Sequence, residues 1–294
     1  RPADRSRHLS RMAPAPASPT REGTALLAGW VGRALEAEPA AWFETTLATL
    51  AREAGERDLG RAVGLAPRKL GKSDLVLAAG DLERAEAVRA GFDPAGLTVD
   101  QAARIAFLLA ADRGDDAAFA ARLLDLFRTA DVSESIAYLR GLPLFPGGRE
   151  LLPVAAEGVR SAVKPVFEAI AHRNPYPAEM FEEGAWNQMV LKALFIGSSL
   201  APIRGLGARA NPELAQVLVD YAHERWAAGR PVSPELWLCV GPFAEGPMLD
   251  DLARVLTTGT MEERAAARAA LQASPSAAAG AILARHAAAE PRSP

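Results

Sequence analysis

The side chains best suited to chemistry gather between His172 and Trp226. In HRNPYPAEMF, His172, Asn174 and Tyr176 surround two prolines, which stiffen the backbone and remove amide donors. Imidazole titrates near neutrality and is a ready general acid or base. One chemical reading therefore makes His172 or His223 the acid/base, with Glu224 or Lys192 assisting. Against it, HERWA lacks the second histidine of a zinc-protease helix. GLGARA has neither a preceding strand nor the full dinucleotide fingerprint, and phosphate-loop and GxSxG patterns are absent. The single cysteine, Cys239, sits in the apolar run ELWLCVG and reads as a buried, inert thiol.

The elements that must position these groups are helices. With Trp186 at the origin of a wheel of about 100° per residue, Met189, Val190, Ala193, Leu194 and Gly197 share one face. Leu191, Phe195 and Ile196 widen that face and leave Gln188 and Lys192 on a polar strip. Asn187 falls at the flank of the apolar arc, so it is expected to be buried, and a buried amide needs partners. Two readings stand: it bonds a neighbouring helix end or loop, or it meets a ligand. Downstream, Leu214, Val217, Leu218 and Tyr221 form an apolar face with Arg225 in its middle, where a guanidinium needs acceptors or must snorkel to water. Asp220 and Glu224 are like charges one helical turn apart, a spacing that costs a few tenths of a kcal/mol. Solvated surface is the plain reading of His223 and Glu224.

Apolar residues recur at helical spacing from Thr24 onward, and alternating β-branched runs are scarce. The spacing predicts an all-α fold with helices near 22–38, 39–54, 81–90, 99–111, 115–129, 132–140, 149–171, 178–196, 212–228, 234–240, 247–257, 261–272 and 276–288. TVDQ at Thr98 and TMEE at Thr260 fit the capping box. NPEL at Asn211 and SPEL at Ser233 place a capping oxygen before proline and glutamate. Two amphipathic helices joined by TTGT suggest a HEAT-like hairpin toward the C-terminus. An irregular α-solenoid of stacked hairpins is the first architecture and a compact all-α globule the second. Residues 1–20 (RPADRSRHLSRMAPAPASPT) read as a disordered arm and a poor secretory signal, 21–288 as a single helical domain, and 289–294 as a disordered tail.

Bulk properties narrow the partners. The chain has 294 residues, 49% hydrophobic and 23% charged, enough for a sizeable core. A net charge of -3 and a pI near 5.9 give no reason to expect nucleic acid or an anionic membrane. Aromatic residues are scattered without the basic interleaving of a single-strand platform. No apolar run approaches the roughly 20 residues needed to span a bilayer. A cytoplasmic protein without direct membrane insertion is the expectation.

The segment from Asn174 to Phe243, with WNQMVLKALF, RANPEL, ERWAAGRPV and PELW, resembles the EboA family of metabolite traffic proteins. The likeness continues more loosely upstream through RTADVSESIAYLRGLPLFP and into the helical tail. What the resemblance implies is a soluble component of the ebo gene cluster, associated with moving a secondary-metabolite precursor toward the cell envelope or periplasm. It carries over no catalytic residues. It implies as partners the cluster's other proteins: a prenyltransferase-like membrane protein, a metal-dependent hydrolase, a dehydroquinate-synthase-like protein and a sugar-isomerase-like barrel.

The expectation is a non-enzymatic helical binding or adaptor protein, needing neither cofactor nor metal, whose partner is a small metabolite or another protein of that cluster. Asn174, Tyr176, Asn187, Lys192, Arg209, Arg225 and Trp226 are its candidate binding surface. An enzyme built on the His/Glu/Lys cluster is the alternative. Convergence of these side chains in one cavity would favour a ligand or enzyme site, and dispersal would favour scaffolding.

Overall fold

The computed structural model describes residues 19–53 and 55–289. Residues 1–18 of the expected arm and 290–294 of the expected tail lie outside the described residues. Within them the chain forms α1 (Pro19–Ala34), α2 (Ala37–Glu53), α3 (Glu56–Leu70), α4 (Ala79–Val88), α5 (Val99–Ala110), α6 (Asp116–Thr129), α7 (Val132–Gly141) and α8 (Leu152–Arg160). It continues as α9 (Lys164–Ala171), α10 (Tyr176–Met180), α11 (Glu183–Phe195), α12 (Pro212–Ala227), α13 (Trp237–Val240), α14 (Pro247–Thr258), α15 (Met261–Ala273) and α16 (Ala277–Ala289). Short 3-10 turns precede α8 and flank α13. The single antiparallel bridge between Asp74 and Thr98 is the only β pairing among the described residues. The fold is all-helical.

The core is organised round α5, which touches α1, α2, α3 and α7. Val99, Ala102, Ala103, Ile105, Ala106, Phe107, Leu108 and Leu109 are all buried, so α5 is apolar on every side, as a helix enclosed by others must be. Its two charges are satisfied internally. Arg104 Nη1 lies 2.7 Å from Asp100 Oδ2, and Nε donates to the Val63 carbonyl at 3.1 Å. At the other end, α14 buries Leu249, Leu252, Val255 and Leu256 and lies along α15 with α16 against both.

Three expectations are corrected. Helix α3 was not foreseen, because Pro67 and two glycines interrupt its sequence; it forms because Leu59, Ala62, Val63, Ala66 and Leu70 make one buried stripe facing α5. The helix expected over 149–171 is two, broken at Ser161–Val163 ahead of Pro165. The helix expected over 178–196 splits after Met180 into α10 and α11.

Caps also divide. Thr260 accepts from Glu263 N at 3.3 Å while Glu263 accepts from Thr260 N at 2.7 Å, so that capping box is closed. Asn211 accepts from Leu214 N at 2.8 Å. The Thr98 hydroxyl instead donates to Asp100 Oδ1 at 2.6 Å, leaving only the Gln101 half of its box. Ser233 makes no side-chain cap; Glu235, two residues on, accepts from Ser199 Oγ at 2.6 Å and Leu200 N at 2.7 Å.

Candidate functional site

Helices α11 and α12 and the turn after α12 border a cleft of about 530 Å³ lined by Gln188, Leu191, Lys192, Phe195, Tyr221, Glu224, Arg225 and Arg230. Both helices end in the same device. Gly197 (φ 67) and Gly229 (φ 64) adopt the left-handed turn that closes a helix C-terminus. The amides beyond them, of Ser198 and Arg230, return to the carbonyls of Ala193 and Arg225 at 2.8 Å each. The second of these turns carries Arg230 to the cleft.

Charge in the cleft is mostly positive. Lys192 Nζ donates to the Ser161 carbonyl at 2.9 Å and to that of Val159, closing the end of α8, and lies 5.3 Å from the Phe167 ring centroid. Desolvation holds the Lys192 ammonium below its usual pKa. Arg225 Nε donates to the Pro231 carbonyl at 3.0 Å. The guanidinium lies 6.0 Å from the Tyr221 ring centroid. Glu224 is the one carboxylate in the lining, against three cations. The apolar part comes from Leu191, Tyr221 and Phe195, the last 76% exposed although Leu194 beside it is buried.

The other candidate residues have different surroundings. Asn187 is buried and forms a reciprocal amide pair with Asn211: its Oδ1 accepts from Asn211 Nδ2 at 2.9 Å, and its Nδ2 donates to Asn211 Oδ1 at 3.3 Å. That same Asn211 oxygen caps α12, so the amide within the apolar arc locks one helix to the start of the next. Asn174 Nδ2 donates to the carbonyls of Leu139 at 2.9 Å and Ala169 at 3.2 Å, while its Oδ1 accepts from Tyr176 N. Tyr176 is buried, with its hydroxyl donating to the Gly148 carbonyl at 2.7 Å. Arg209 Nη1 donates to the carbonyls of Pro177 and Ala178 in α10 and of Phe181 just after it, and its guanidinium covers Trp186 at 4.8 Å. Trp226 stacks on Trp237 at 5.9 Å with Arg254 on it at 4.4 Å.

Of the seven candidates, the structure brings Lys192 and Arg225 into one cleft. Sequence reasoning missed Arg230, Phe195 and Gln188 as its neighbours; the readable signal was the glycine stop at Gly229 followed by a cation. Arg225 borders the cleft instead of centring an apolar face, because the buried face of α12 is Leu214, Ala215, Leu218, Val219 and Ala222. The two histidines stand apart. His223 Nε2 lies 2.8 Å from Asp251 Oδ2, whereas His172 Nε2 contacts the Ser199 carbonyl at 2.9 Å and Ser198 Oγ at 3.1 Å. Ser198 in turn donates to Glu168 at 2.7 Å, so its hydroxyl proton is directed to a carboxylate and not to the imidazole. Burial raises the Cys239 thiol to about 11, leaving it protonated at neutral pH.

Helices and clefts together define an all-helical protein with no helix, among the described residues, long and apolar enough to cross a membrane and no His/Cys/Asp/Glu group able to hold a metal ion. The family model described as metabolite traffic protein EboA matches residues 23–241, and the chain belongs to that family. The match takes in the helices from α1 to α13 and stops before α14. No curated protein and no solved structure matches the chain.

Proposed function

We propose that this chain is a non-enzymatic binding protein in metabolite traffic, and that the α11–α12 cleft takes a small molecule combining an anionic group with an apolar body. The observation that carries the proposal is the meeting of Lys192, Arg225 and Arg230 with Phe195, Leu191 and Tyr221 in a space of about 530 Å³. Cations there attract an anion, and water-exposed apolar side chains gain when a ligand covers them. Neither His172 nor His223 lines the cleft that holds Lys192 and Glu224, which favours binding over the enzyme reading. In cells, the proposed role is an adaptor that keeps a secondary-metabolite precursor on its way toward the envelope or periplasm. It works from the cytoplasm with other ebo-cluster proteins.

The supporting frame is one helical domain over 21–288, because a single buried cluster runs from Leu26 to Ile282. Pairing of α14 with α15 across TTGT suits a HEAT-like hairpin beside it. Phe195→Ala and Arg230→Ala test the proposal in a deletion strain whose cytoplasm and envelope are extracted separately and profiled for metabolites. Both variants are expected to melt like the parent, since both residues are exposed. The precursor should nevertheless accumulate at unchanged total synthesis. Wild-type traffic in both stable variants would remove the cleft from the function.

A further inference from the structure

A second concavity, of about 300 Å³, opens where the loops before α5 and after α9 meet, lined by Gly96, Arg140, Glu168, His172, Arg173 and Pro202 among others. Arg140 Nη2 donates to the carbonyls of Ala95 at 2.6 Å and Asp93 at 3.4 Å. Its Nε and Nη1 have no hydrogen-bond partner among the described residues, and no carboxylate pairs with it. Burial lowers its pKa to about 10, so it remains a cation at neutral pH.

Beside it, Arg173 is the only residue other than glycine with positive φ among the described residues, at 54°. Its amide is fixed to the Pro202 carbonyl at 2.9 Å, and the next residue, Asn174, is locked by its own buried hydrogen bonds. A left-handed backbone is strained for arginine and free for glycine, and such strain gathers at ligand clamps. The carboxylates nearby already have cations. Asp93 lies 3.7 Å from Arg204 and 4.0 Å from Arg173, and Glu168 lies 3.7 Å from Lys164. The concavity is thus left with more positive than negative charge, and with guanidinium edges that offer planar, paired donors.

We infer that this second cleft binds a small oxyanion, the carboxylate or phosphate group of a molecule compact enough for about 300 Å³, through Arg140 and the strained Arg173. The site is separate from the α11–α12 cleft and shares no lining residue with it.

Calorimetric titration of the full chain at low ionic strength, with inorganic phosphate in one arm and succinate in the other, tests the inference. One of the two anions binds, and the tighter one identifies the group. Arg173→Gly melts at or above the parent temperature, since glycine accepts the turn, yet binds that anion at least about tenfold more weakly. Arg140→Gln shows the same loss, and if it fails to fold, Arg173→Gly alone decides. Arg128→Ala, an exposed arginine of α6 that lines neither cleft, binds as the parent does. Absence of binding in both arms, or parental affinity in Arg173→Gly, overturns the inference and leaves the proposed role of the first cleft untouched.

Discussion

Arg104 donates through Nε to the carbonyl of Val63 at 3.1 Å, and Val63 stands four residues before Pro67 in α3. That carbonyl is the acceptor a helical residue at 67 would fill, and proline has no N–H to give. A guanidinium on α5 supplies the missing donor. Arg104→Met is expected to cost about 3–5 kcal/mol, because it also leaves the buried Asp100 without its cation. With Pro67→Ala as background, the new amide takes over Val63, and the cost of Arg104→Met should shrink by about 1 kcal/mol. Denaturant melts of the four proteins of this cycle measure the coupling; an additive cycle would show that Val63 draws nothing from Arg104.

Asn187→Leu leaves the half-buried Asn211 with its donor and acceptor half-used beside an apolar core. The variant should lose about 1–3 kcal/mol of stability. Asn211→Ala should lose a comparable amount through its cap. The two losses are expected to be less than additive, since either one breaks the shared pair. Chemical denaturation reads all three values.

Thr260→Ala should weaken the start of α15 by about 0.5–2 kcal/mol, because both arms of its capping box are closed. Ser233→Ala, in the similar-looking SPEL, should fall within about 0.5 kcal/mol of the parent, since that hydroxyl caps nothing. Equal effects in the two melts would contradict the hydrogen bonding of these starts.

Alkaline stability should depend on Cys239, whose thiol is raised by burial from 9.0 to about 11. Below the lower value both states keep the proton. Between the two, only the unfolded chain releases it, so stability falls as pH rises, by up to about 1.4 kcal/mol per unit. Buried Tyr138 and Tyr176 are pushed up as well and act in the same direction at higher pH. Cys239→Ala should therefore be less stable at pH 8 yet lose less from pH 9 upward. Parallel slopes in urea titrations at successive pH values would sink this assignment.

Helix spacing was legible wherever the apolar stripe was continuous, as in α5, α12 and α15. It failed where proline broke the local rule and tertiary packing restored it. Pro67 hid α3 because the donor that repairs it lies on another helix. The candidate site was legible as a polar region but not as a cleft, for a related reason. Arg209, Asn174 and Asn187 face core carbonyls or amides that turns expose, and side-chain type alone does not separate a group serving an internal helix end from one facing a ligand. Arg230 and Phe195 were missed because their exposure is set by how α11 and α12 pack together, a property of neither helix alone.

The central place of α5 has a consequence in time. Helix α1 ends at Ala34 and its main partner begins at Val99. Synthesis at about 5–20 residues per second separates them by several seconds. During that interval Leu26, Leu27, Trp30 and Val31, all buried in the finished protein, have emerged without α5, with only α2 and then α4 to lie against α1. In that interval the nascent chain is open to any holdase that favours short apolar helices, before either cleft exists.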